Sequence, residues 1–440
     1  MRELPLRRTA TSNTFLLSDG QLETRLFEVP VNYRDEEGNW KPIGEDLVEL
    51  PGGAVTNGSN SFDVHLPEDL DEAPVRIDLG GEEWISQQPL GISTQPVDLG
   101  GEVATYESAG STAGFEFNGL ASGLKENIVL AGPSAPSTYR YALDASVGIS
   151  PELTEEGSIE FRDSEGVPVG YMPPPVMADS ADEPQVSNAV HYAIEPKESG
   201  GWLLSVEADP EWLSDPARVF PARIDPTWEV EKPALDCTIS STEPTTSYCA
   251  PGQTYHVAKA KYPTSTGPSQ LGRTLLRFDT SAIPKTAYLT SATIGLHSAK
   301  TATNITKVDM FDVSRSWNST ATWNRAESAL GPNGNWNLAG GDYGKYMPTP
   351  TSLTPAERGG LGSGWWNFSS PELTWLTQRW LDGVVPNNGV LLKLADEAPY
   401  VCCIERRVEW ESSSATNKPK LTLTFLEPAS ADRRVTSPTD

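Results

Sequence analysis

Glycine and proline interrupt this chain too often for long helices. There are 37 of each in 440 residues, about one residue in six, against an average of roughly 7% plus 5%. Between the interruptions lie short runs that alternate apolar and polar side chains. In Ile159-Glu160-Phe161-Arg162 the two apolar residues share one face, and Asp163-Ser164-Glu165-Gly166 follows as a turn. A period of two bounded by turn residues is the pattern of a half-buried strand. The same device recurs at 25–33 ahead of Asp35-Glu36-Glu37-Gly38, and again at 138–143, 202–207, 292–297 and 420–425. The expected fold class is therefore all-β. No run of about 18 apolar residues is present, so no membrane span is expected.

Charge divides the chain. The net charge is −27, and residues 1–225 carry the whole excess while the remainder is balanced. Such a step predicts a boundary, which gives an acidic β-rich domain over 13–225 and a second domain over 226–427. Residues 1–12 read as a flexible basic tail and 428–440 as a disordered one. An acidic surface repels phosphate backbones, so no nucleic-acid partner is expected.

One short helix is predicted in the second domain. Ser370 suits the N-cap, Pro371 the first helical position, and Leu373, Leu376 and Trp380 recur at helical spacing before Gly383. The cysteines are Cys237, Cys249, Cys402 and Cys403. None shows the spacing of a zinc pair. Cys237 and Cys249 suit a disulfide closing a Pro- and Thr-rich loop, while the pairing of Cys402 and Cys403 stays open. An even count in a turn-rich chain points to an oxidising compartment. The first twelve residues, MRELPLRRTATS, have charge but no apolar core, so they read as no signal peptide.

Familiar chemistry is sparse. No G-x-S-x-G, H-E-x-x-H or phosphate-loop pattern occurs. His65, His191, His256 and His297 each stand alone, and none is expected to be catalytic. Acidic turns such as Asp35-Glu36-Glu37 carry the oxygen ligands that calcium takes, but none matches a calcium loop. Solvated turns are the expectation, and no cofactor is assigned; a structural calcium has no location.

Several stretches resemble known families. The segments 30–43, with Asn32-Tyr33-Arg34-Asp35, 159–166, with Phe161-Arg162-Asp163, and 215–228, ending Ile224-Asp225-Pro226-Thr227-Trp228, are similar to the N-terminal leader region of wall-associated RHS/YD-repeat proteins of actinobacterial type. In those proteins the leader precedes a repeat shell and a C-terminal toxin. Leu275-Leu276-Arg277-Phe278-Asp279 with Ile283-Pro284, Trp317 with Thr322-Trp323-Asn324, the Trp380-to-Gly389 helix exit and Lys393-Leu394-Ala395-Asp396-Glu397 resemble the DNRLRE, or disaggregatase-related, domain. That resemblance implies a jelly-roll β-sandwich with a carbohydrate-binding role.

Aromatic placement supplies the candidate site. Nine of the thirteen tryptophans lie from Trp228 onward. Trp323 and Trp380 fall at positions matching the DNRLRE pattern and read as core. Of Trp365 and Trp366, at most one can face solvent. Trp336, Tyr343 and Tyr346 sit among Gly and Asn in a long connection and read as an exposed stacking platform for a glycan. The expected function is a non-catalytic extracellular or cell-surface module. It would attach to a cell-wall polymer or other polysaccharide, or to an RHS-repeat partner, and no enzyme is expected. The alternatives are a polysaccharide-degrading enzyme of the disaggregatase-related class and a purely structural leader of an RHS-type toxin assembly.

Overall fold

The computed structural model describes residues 1–110, 112–181, 184–230, 235–249, 255–261, 269–397 and 404–427. Cys402, Cys403 and the 428–440 tail lie outside the described residues. The fold is all-β, built as two sandwiches of mostly antiparallel sheets.

The first sandwich pairs an eight-stranded with an eleven-stranded sheet. The eight-stranded sheet runs from the edge strand Val190–Pro196, through Thr138–Ala145 as its third strand, to the opposite edge Gly44–Glu49. The other sheet is centred on Gly123–Leu130. Alternation decides which side chains meet between them. Phe115, Phe117 and Phe161 from one sheet join Tyr141, Leu143 and Val206 from the other in a single buried cluster. Phe115 meets Tyr141 edge-on at 6.4 Å, and Phe161 stacks on Trp228 at 5.2 Å. The Glu126 carboxyl is sealed inside. Glu126 accepts the Tyr141 hydroxyl at 2.8 Å and a bond from Gln87, and burial pushes its pKa up to about 8.

The second sandwich packs a six-stranded on a seven-stranded sheet. Its helix, Pro371–Leu381, starts where the sequence places it: Ser370 Oγ accepts the Leu373 N–H at 3.0 Å. Leu373, Leu376 and Trp380 are buried. The strand Tyr288–Ser298 pairs with Gly364–Ser369 only from Thr293 onward. Over the rest of that edge the helix takes over, with Thr374 Oγ1 accepting the Ala292 N–H and Gln378 Oε1 the Leu289 N–H. Two further short helices, Pro210–Ser214 and Pro355–Arg358, cap loops.

The domain boundaries expected from charge are corrected by strand pairing. Leu22–Phe27 lies beside Lys420–Leu426, with Leu22 opposite Phe425 and Leu26 opposite Leu421. Residues 12–27 therefore form a hairpin of the second sandwich. The chain starts there, leaves after Phe27, builds the first sandwich, and returns at Asp236–Ser240. The basic tail over 1–12 is corrected too. Arg2 and Glu3 pair with Leu16 and Phe15, and Arg7 makes a two-pronged pair with Glu427 at 2.5 and 2.9 Å. Counter-charges on neighbouring strands hold this segment in place.

Candidate functional site

Among the described residues, two clefts of similar volume lie between the sandwiches. One, of about 810 Å³, is lined by Glu45, Lys125, Lys300, Glu409 and Glu411. Its charges are largely spent on each other or on neighbours: Lys300 meets Glu409 at 2.8 Å, Glu45 meets Lys418 at 2.8 Å, and Glu411 meets His297 at 2.7 Å. The other cleft, of about 850 Å³, is different. Glu156, Glu160, Tyr171, Pro173 to Pro175, Asn188 and His191 line it from the first sandwich. The loop 318–336 and residues 245–249 line it from the second.

That loop is held by its own short polar side chains. Asn318 Oδ1 accepts the Thr320 N–H at 2.9 Å and its hydroxyl at 2.6 Å. Thr322 Oγ1 accepts the N–H groups of Asn324 and Arg325 at 3.2 and 3.1 Å, and Thr320 Oγ1 accepts that of Ser328 at 2.8 Å. Such side chain-to-backbone bonds replace a strand ladder where none is available. Cys237 and Cys249 are joined by a disulfide. Beside it, Ser247 Oγ donates to Ser319 O at 2.9 Å and Pro244 O accepts the Asn324 N–H at 3.1 Å. The disulfide loop therefore braces the cleft loop.

The expected glycan platform is not assembled. Trp336 is only 5% exposed. Its indole N–H donates to Thr322 O at 2.8 Å, and its ring joins a cluster with the disulfide, Trp317 and Trp323. Gly and Asn around it build the fold-back that buries it, which local composition alone read as exposure. Tyr343 is half-buried, packing on Phe311 at 5.0 Å with Arg273 over its face. Tyr346 is half-buried against the main core. Of the three, Trp336 alone lines the cleft.

Sequence reasoning passed over the groups that do line it. His191 pairs with Glu207 at 3.2 Å, the two lying opposite each other on adjacent strands. Arg325 is the single lysine or arginine among the lining residues. Asp236 and His256 form a further His–carboxylate pair at 3.0 Å, and both are buried. Burial opposes ionisation of Asp236; His256 and two bonds from Ser413 outweigh it and hold its carboxyl below the usual range. Nearby, burial pushes the Glu229 carboxyl up to about 8. Among the described residues no helix is long and apolar enough to cross a membrane.

No family model matches the chain. Relatives are found among nucleases. The chain is 28% identical over 283 residues to the tRNA nuclease WapA of Bacillus subtilis strain 168, a stretch that is 60% of this chain and 12% of that protein. The tRNA3(Ser)-specific nuclease WapA of Bacillus spizizenii matches to the same extent. The chain thus corresponds to a small part of these relatives. Their names overturn several expectations from the sequence: a non-catalytic glycan-attaching module, no enzyme, a polysaccharide partner, and no nucleic acid.

Proposed function

We propose that this chain is part of a nuclease acting on tRNA, and that the 850 Å³ cleft is where it meets the RNA. The match over 283 residues to proteins named as tRNA nucleases carries the reading. The resemblance to RHS leader regions supports only the first half of this reading, because such leaders precede a toxin in the same protein. RNA is cut when a 2′-hydroxyl attacks the adjacent phosphorus. That step needs a base at the hydroxyl, an acid at the leaving 5′ oxygen, and positive charge at the non-bridging oxygens. His191 and Glu160 bring proton-transfer groups to the cleft, and Arg325 brings the charge.

The test is direct. The purified chain is incubated with total tRNA between pH 5 and pH 9, and products are resolved on denaturing gels. Discrete fragments are expected, reduced about 100-fold or more by His191→Ala. Intact tRNA at every pH, beside cleavage by a full-length relative, removes the reaction from this chain.

A further inference from the structure

Three side chains of the cleft loop have no work in the loop itself. Among the described residues, the Arg325 guanidinium makes no hydrogen bond or ion pair, and the Asn324 and Asn335 amides make none either. Their backbones are nonetheless fixed. Arg325 and Asn335 face each other in an isolated β-bridge, and Asn324 O accepts the Trp336 N–H at 3.2 Å. Hydroxyls that could serve a ligand are already spent on holding the turn. A loop with a fixed backbone thus presents one exposed cation and two exposed amides to the same cleft.

The opposite wall differs in kind. Tyr171 and Pro173 to Pro175 give it an apolar face, flanked by Glu156 and by Glu160, which is paired with Arg162. A planar heterocycle fits such a wall, amides that donate and accept fit its polar edge, and a guanidinium fits a phosphate. The carboxylate of Glu156 disfavours a second phosphate. We infer that the cleft binds a single unstacked nucleotide of single-stranded RNA, with Arg325 on its phosphate and Asn324 and Asn335 on its base edge. This rests on the nuclease reading and deepens it: recognition is by base and shape, with one phosphate contact in place of a cationic track.

The inference fixes a salt dependence. Each neutralised phosphate on a single strand contributes about −0.7 to the slope of log affinity against log salt. Fluorescence anisotropy is measured with a 5′-labelled unstructured heptaribonucleotide and a duplex control, from 50 to 400 mM KCl. The single strand is expected to bind with a slope near −0.7 and the duplex not to bind. Arg325→Ala is expected to weaken binding about tenfold and bring the slope to zero, while Arg325→Lys keeps the slope. Asn335→Ala is expected to weaken binding with the slope unchanged. Circular dichroism establishes that each variant is folded. A slope several-fold steeper, equal binding of duplex, or affinity indifferent to Arg325→Ala overturns the inference. tRNA cleavage assayed on the same variants separates the two readings. Cleavage that survives Arg325→Ala defeats this site and leaves the nuclease reading standing. Arg325-dependent binding without cleavage defeats the nuclease reading and leaves the nucleotide site standing.

Discussion

Arg273 and Glu397, 124 residues apart, form a two-pronged ion pair, with Nε to Oε1 at 2.9 Å and Nη2 to Oε2 at 2.7 Å. The remaining guanidinium nitrogen donates to Gly340 O at 2.6 Å, and Trp323 covers the guanidinium plane at 4.9 Å. Gly340 sits at a φ of +93°, and a Cβ there would lie 2.6 Å from the guanidinium. This residue ties the strand Gln270–Leu276 to the loop that runs on from the cleft.

Removing the carboxylate would leave a buried charge without its partner. Glu397→Ala is expected to cost about 3–5 kcal/mol in urea unfolding. A loss under about 0.5 kcal/mol would mean that the pair is not held as described.

Trp336 and Trp375 test where aromatic rings are used for packing. Trp336→Ala empties a buried site and is expected to cost about 3–5 kcal/mol. Trp375 is 50% exposed on the helix, and its replacement by Ala is expected to stay within about 1 kcal/mol. Equal effects in thermal melts would contradict the burial assigned to Trp336.

Stability should fall as pH rises. Glu126 and Glu229 have an ordinary value of 4.5, raised in the fold to about 8 by burial. The folded chain therefore holds these protons more tightly than the unfolded chain does. Their contribution is full below about 4.5 and is lost towards 8, by up to about 1.4 kcal/mol per pH unit for each group. Asp236 acts oppositely, but only at pH values below the usual carboxylate range. Unfolding midpoints are expected to decrease from pH 5 to pH 8, and Glu126→Gln is expected to flatten the curve. A midpoint that rises over this interval would refute the assignment.

Deleting residues 1–27 should unfold the second sandwich. The deletion removes buried Leu22 and Leu26 and strips the partner from Lys420–Leu426. The fragment 226–427 should fail for the same reason. Soluble, β-rich material by circular dichroism from either chain would contradict the pairing.

Local features were legible and distant ones were not. Ile159–Arg162 declared itself by alternation, and Pro371–Leu381 by its cap and spacing, because the causes lie within a few residues. The hairpin at 12–27 reads equally well as a strand pair, yet nothing in it names a partner strand some 400 residues later. Trp336 was misread for a related reason. Its burial depends on the disulfide loop, distant in sequence, as well as on Trp317 nearby. At the cleft, Arg325 and Asn335 carry no pattern of their own, and only the fold brings them opposite Tyr171.

Residues 1–27 and 420–427 share one sheet, with the first sandwich inserted between them in sequence. A stretching force applied at residues 1 and 427 would therefore run through the Arg7–Glu427 clasp and the ladder between Leu22–Phe27 and Lys420–Leu426. The inserted sandwich hangs outside that line and carries no load until the ladder gives way. Pulled from its ends, the molecule would release first the hairpin and only afterwards the walls of the cleft, so tension short of that rupture would leave the cleft intact.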